Sequence, residues 1–410
     1  MESVELYKET TDKAFSRVVM LVLSIFPILN YYQGPLFSYG IWLFVFLIII
    51  KCIREKKINV YFFPKSFIYY WSFLAVALII VARPLKITYL IPGGLGFFVW
   101  ALILGFVIKY FNLFYFRKYA RFIVILCGIV IVLQELMFFS VGSRFNFFLR
   151  LSNELTIGIP YHELVNSMMY GPRSSALFSE PAHFAQYILP LLAIELFSSR
   201  NIGKFLTPFS VFIIFILIVL RSGNGFVGLM LLLIIKTISY FKERGSKSVL
   251  LFLILIPIAV IAFQKYASTE VGSDVLSRTE ELENDESSAS YIRIFRGYVV
   301  YDGMPTMNKL IGTTQENLKQ MNIPMLHIKD DELYDLYFNG LQNVLIYNGI
   351  IGLLFLAFFY YKQGKEGTIM AISEILLLLV LSLLGQVYLS YTMLFCTAIA
   401  VTQKKYLYEK

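Results

Sequence analysis

Twelve runs of apolar residues, separated mostly by short polar connectors, constrain this chain more than any other feature. They cover approximately 15–32, 36–53, 66–82, 92–111, 121–141, 183–198, 205–220, 224–241, 248–264, 337–361, 368–384 and 386–402. A helix needs about 20 apolar residues to cross a bilayer, and a spanning segment must satisfy its own backbone polar groups. The runs therefore predict an all-α fold, a polytopic transmembrane helix bundle of about 12 spans. Residues 1–410 would form a single integral membrane domain. Composition agrees, because only 15% of the 410 residues are charged, against roughly 25% in a soluble domain. Lipid is then the solvent for most of the surface.

The formal net charge of +9 does not point to nucleic acid. Most Lys and Arg sit in short connectors, where basic residues hold a loop in the cytoplasm. Placing the N-terminus inside makes the Lys-rich segments 51–65, 109–121, 199–204, 236–247, 362–367 and 404–410 cytoplasmic, with both termini inside. Val18–Tyr32 reads as a retained first helix, since no small-residue cleavage site follows it. Cys52, Cys127 and Cys396 lie in or beside apolar runs without paired spacing, so neither a disulfide framework nor a zinc site is expected.

Two segments on the opposite face are long, 142–181 and 265–336, and are expected to be partly helical extracytoplasmic loops. Loops beyond ~15 residues usually carry function or are disordered. Arginine outnumbers lysine on this face, at Arg83, Arg144, Arg150, Arg173, Arg221, Arg278, Arg293 and Arg296. The positive-inside tendency opposes them, and the guanidinium fork suits phosphate. An anionic ligand at the outer face follows.

Four stretches can carry chemistry. In 171–190, Arg173, Glu180 and His183 lie close together, and Pro181 suits the first turn of a helix. Glu180 would then stand at the helix mouth with His183 in the first turn, a pair able to activate a hydroxyl; a capped helix with an interfacial histidine is the plainer reading. In 290–298, Arg293 and Arg296 share a helix face if the stretch is helical and could clamp a diphosphate, or could lie solvated on an amphipathic helix. In 221–225, Arg221 sits in a tight glycine-rich turn, able to reach a ligand or simply to close a hairpin. In 327–352, His327 is a weaker acid or base candidate, and Tyr337, Asn339, Asn343 and Asn348 could bind a sugar or line a wet cavity. The acidic triplet Asp330–Glu332 is a weak metal signal, and no metal is expected. Gly349 and Gly352 suit close helix packing. P-loop, zinc-protease and nucleophile-elbow fingerprints are absent from the sequence.

The stretch R-S-S-A-L-F-S-E-P-A-H-F-A-Q-Y at Arg173–Tyr187 resembles a segment of bacterial polysaccharide polymerases of the Wzy type, which share an architecture with O-antigen ligases. R-S-G-N-G at Arg221–Gly225, R-I-F-R-G at Arg293–Gly297, the Pro305–Gly312 segment and Tyr337–Gly352 extend the resemblance across most of the chain. It implies a glycosyltransferase at the outer face of the bacterial cytoplasmic membrane. Such an enzyme moves a growing glycan from undecaprenyl pyrophosphate to the non-reducing-end hydroxyl of a new lipid-linked repeat unit. Arg173, Arg293 and Arg296 match the arginine positions, with Arg221 a further candidate for the pyrophosphate, and Glu180 or His183 falls where a base is needed. His327, Tyr337 and Asn339 would be weak sugar-binding candidates. Cofactors: none are implied. Partners would be undecaprenyl-pyrophosphate-linked oligosaccharide repeat units and membrane lipid, together with a chain-length regulator and flippase of the same pathway. Two other readings stand beside this one: a ligase-like enzyme with another acceptor, and a lipid-linked oligosaccharide transporter, which should show ionisable groups inside the membrane.

Overall fold

A computed structural model describes residues 13–32, 37–58, 60–81, 87–144, 174–198, 205–244, 295–323 and 338–404. Within them the regular structure is helical: α1 Lys13–Leu29, α2 Tyr39–Glu55, α3 Lys65–Val81, α4 Ile87–Tyr110, α5 Leu113–Val141, α6 Pro181–Phe197, α7 Pro208–Leu220, α8 Gly223–Arg244, α9 Gly297–Gly303, α10 Thr306–Ile311, α11 Gln315–Gln320, α12 Gly340–Glu366, α13 Ile369–Leu384 and α14 Tyr391–Thr402. Each expected apolar run within the described residues coincides with a helix; the run at 248–264 lies outside them. Helices α5, α8 over Gly223–Lys242, and α12 are long and apolar enough to cross a membrane. The chain is a membrane protein on that measure.

Local chemistry sets the helix starts. Ser38, Asn112, Thr207, Thr314, Asn339, Thr368 and Ser390 each accept a backbone N–H of the first turn through a side-chain oxygen, which satisfies a donor the helix cannot. Thr207–Ser210 and Asn339–Gln342 close reciprocal capping boxes. The sequence places the last helix at 386–402, but α14 begins only at Tyr391, because Gly385–Ser390 forms an irregular turn ended by the Ser390 cap.

Burial separates central from peripheral helices. Every residue from Phe184 to Phe197 of α6 is buried, as is every residue of α14. The two touch through Tyr187 and Phe395, with ring centroids 5.8 Å apart. The outer helices instead expose Phe122 and Phe139 of α5 and Ile238 of α8, an apolar surface that suits lipid and not water.

The helices run between two chemically different ends. At the basic end, Lys51 lies 4.6 Å from the Phe15 ring and 5.3 Å from that of Tyr110. Two guanidinium forks close on one carboxylate there: Arg117 and Arg121 of α5 each donate through Nε and Nη2 to Glu195 of α6, at 2.5–2.7 Å. Lys236 of α8 donates to the Leu196 carbonyl at 2.8 Å, where a cation complements the helix C-terminus. Lys404 pairs with Glu366 at 2.9 Å. The central helix is thus held at this end by three cations from two of its neighbours, α5 and α8. Two carboxyls inside the helices, Glu195 and Glu374, are fully buried.

Candidate active site

The opposite end is organised by the turn Gly385–Ser390. The Gly340 amide donates to the Gly385 carbonyl at 2.8 Å. A Cβ on Gly385 would come within 3.0 Å of Gln186 and 3.1 Å of Asn224, so the turn touches α6, α8 and α12 together. Tyr391, the first residue of α14, donates its hydroxyl to the His183 carbonyl at 2.7 Å. The N-termini of four helices, α6, α8, α12 and α14, therefore gather around one turn. Each contributes the partial positive charge of a helix N-terminus, which makes the region attractive to an anion.

The approach to α6 is pinned before the helix begins. The Gln134 amide bonds Ala176 in both directions, donating to its carbonyl at 3.4 Å and accepting its N–H at 3.1 Å. Ser174 donates to Glu135 at 2.5 Å, and Arg144 donates to both Ser174, at 3.1 Å, and Glu135, at 3.2 Å. Arg144 also stacks over Phe138 at 3.8 Å. Phe178 then stacks on Phe184 with centroids 4.9 Å apart. The sequence motif is thus largely an anchoring device, which fixes where Glu180 and His183 emerge. Glu180 is exposed at the α6 N-cap without a side-chain capping bond, and Pro181 occupies the first turn as expected. His183 holds Ser179 Oγ through Nδ1 at 2.7 Å, and its ring lies 5.6 Å from that of Tyr31.

Arg296 reaches the same end from the other side. It is 1% exposed, so the solvated-arginine alternative fails for it. Its guanidinium carbon is 6.0 Å from the centre of the Phe338 ring, one residue before the Asn339 cap of α12. Gly297 permits this approach, because a Cβ there would lie 2.5 Å from the Gln342 side chain. The hairpin of α9 and α10 is tied by Tyr301, whose hydroxyl donates to the Lys309 carbonyl at 2.9 Å. Burial pushes the Tyr301 phenol up, partly opposed by the Lys309 charge.

Helix α12 is not continuous. Gly349 takes φ 68 and ψ 179, and the chain end of α10 inserts at the break. The Thr313 N–H donates to the Ile346 carbonyl at 3.0 Å, satisfying an acceptor beside the break. Gly312 and Gly349 face each other backbone to backbone. Gly349 therefore serves as a break and not simply as a packing residue, while Gly352 does pack closely, against Phe73. Beside the break, Asn348 Nδ2 donates to Tyr70 at 2.9 Å and to Tyr388 at 2.7 Å.

Of the residues singled out from sequence, the structure brings Glu180, His183, Arg296 and Asn339 to this end. Arg221 joins them as the left-handed residue (φ 50) that closes α7 just before α8 begins. Asn339 is buried and caps α12. Arg173, Arg293, His327 and Tyr337 lie outside the described residues. Sequence reasoning missed Tyr31, Ser179, Tyr391, Gln134, Tyr70 and Tyr388. Among the described residues, three of the four non-glycine residues with positive φ, namely Ala176, Arg221 and Leu389, sit in the three turns bordering this region. Such strained positions concentrate at functional sites. No protein-family model matches the chain, and no curated protein matches it.

Proposed function

We propose that the chain is a membrane glycosyltransferase, a polysaccharide polymerase that uses oligosaccharides carried on undecaprenyl pyrophosphate. The observation that carries this reading is the meeting of four helix N-termini around Gly385–Ser390, with buried Arg296 beside the one belonging to α12. Fixed positive charge is what the reaction asks of the protein, because negative charge grows on the diphosphate as it leaves. The acceptor hydroxyl attacks the anomeric carbon, the bond from that carbon to the diphosphate oxygen breaks, and the hydroxyl proton passes to a base. Glu180 and His183 stand at the mouth of α6 for that last step. The sequence resemblance supplies the substrate class. We further place both termini in the cytoplasm, the basic end inside and the site outside, with about 12 spans in all.

The test is chain extension by purified, metal-free protein given one synthetic undecaprenyl-pyrophosphate repeat unit. A ladder of products, lost in Arg296→Ala and strongly slowed in Glu180→Gln or His183→Ala with donor binding retained, is the expected result. Transfer to another acceptor without a ladder would favour the ligase-like reading. The transporter reading draws on Glu374, a carboxyl buried in α13 beside Cys396; transport of the intact donor with no transfer would select it.

A further inference from the structure

Tyr70 of α3, Asn348 at the α12 break and Tyr388 in the Gly385–Ser390 turn form a closed triangle. The Asn348 amide donates to the two phenol oxygens at 2.9 and 2.7 Å, and the phenol oxygens are 3.0 Å apart. Counting protons determines how the triangle is wired. Asn348 supplies two and each tyrosine supplies one, so four protons serve three contacts. The reversed amide would offer an acceptor to both phenols and leave the 3.0 Å contact between them without a proton. Tyr70 is fully buried, and a buried hydroxyl proton without an acceptor is costly. Its proton therefore goes to Tyr388. The Tyr388 oxygen then accepts twice, from Tyr70 and Asn348, and its own proton has no acceptor within the triangle. Tyr388 is only half-buried and belongs to the turn where the four helix N-termini gather.

We propose that Tyr388 is a binding residue preset as a hydrogen-bond donor, and that its proton is given to a phosphoryl oxygen of the bound lipid diphosphate. Tyr70 and Asn348 are positioning residues: by filling the acceptor capacity of Tyr388, they exclude a ligand donor and select an acceptor. This rests on the proposed function and assigns it a diphosphate contact outside the arginine set.

Undecaprenyl pyrophosphate binding to the full chain in lipid nanodiscs tests the idea. Tyr388→Phe should weaken binding about tenfold or more, the range for a hydrogen bond to a charged group, while Tyr70→Phe changes it less than threefold. Because Tyr388→Phe also removes an acceptor from two buried donors, a second arm keeps the fold intact. 3-Fluorotyrosine at position 388, a stronger donor of nearly the same shape, should tighten binding. Wild-type binding with Tyr388→Phe within twofold, or with no gain from fluorotyrosine, overturns the assignment and leaves the proposed function standing. Failure of the wild type to bind undecaprenyl pyrophosphate overturns both.

Discussion

Replacing Gly349 by alanine tests whether the break in α12 is built by backbone contact. Gly349 adopts φ 68, ψ 179, a region essentially reserved for glycine, where another residue costs about 1–3 kcal/mol. The added methyl would also run into the Leu310 carbonyl, with its carbon at 2.5 Å and the Gly312 nitrogen at 2.6 Å. Both are backbone atoms and cannot rotate aside. Overpacking of this kind costs about 1–3 kcal/mol, so the expected total is about 2–6 kcal/mol. Gly142→Ala is the matched control. Gly142 also has positive φ, at 72, but a Cβ there meets nothing within 4 Å, leaving only the left-handed penalty of about 1–2 kcal/mol. Thermal midpoints of the two variants, purified in one detergent, give the difference directly. Gly312→Ala probes the same contact from the other side, because its Cβ would overlap the Tyr347 carbonyl. The double variant should lose less than the sum, since the two strands are forced apart only once. A Gly349→Ala midpoint equal to that of Gly142→Ala would refute the reasoning.

Two further outcomes are expected. Glu195 is fully buried, whereas its partners Arg117 and Arg121 are 17% and 36% exposed, so the two sides of the cluster should differ in cost. Arg117→Ala with Arg121→Ala removes both guanidinium forks from a buried carboxylate and should destabilise by the ~3–5 kcal/mol of a broken buried pair; Glu195→Ala leaves arginines able to reach water and should cost less, and the reverse order in thermal unfolding would contradict this account. For topology, Ser152→Cys should react with an impermeant maleimide on intact cells and Lys404→Cys should not, and the opposite labelling would invert the proposed orientation.

Helices were legible in the sequence because lipid demands long apolar runs, and lipid-facing and protein-facing residues are apolar alike. The same fact hides which helix is central. Nothing in 183–198 distinguishes α6 from its neighbours by composition, yet it is enclosed by protein while α5 exposes Phe122 and Phe139. The mouth of α6 was readable because Glu180, Pro181 and His183 follow local capping rules that need no partner. Arg296 was readable as a residue type but not as a buried one, since its surroundings come from Phe338, distant in sequence. Of the Tyr70–Asn348–Tyr388 triangle only Asn348 stood out in the sequence. Tyr70 and Tyr388 are 318 positions apart, and each looks like one more interfacial tyrosine. The break at Gly349 was similarly masked, because a glycine that opens a helix and one that lets helices touch are the same letter.

The shortness of the last two helices sets the depth of the candidate site. At about 1.5 Å per residue, the 16 residues of α13 rise about 24 Å and the 12 of α14 about 18 Å. Both are tied to the basic end, where Thr368 N–H meets the Gln403 carbonyl at 3.1 Å. A hydrocarbon layer is about 30 Å thick, so a bilayer resting on that end extends several ångströms beyond the turn that joins them. Enclosed by protein, α14 tolerates the deficit without meeting lipid. The turn would then lie below the headgroups, within reach of the polyprenyl tail of the proposed donor arriving sideways through the membrane, and the sugar of that proposed donor would have to descend to meet it.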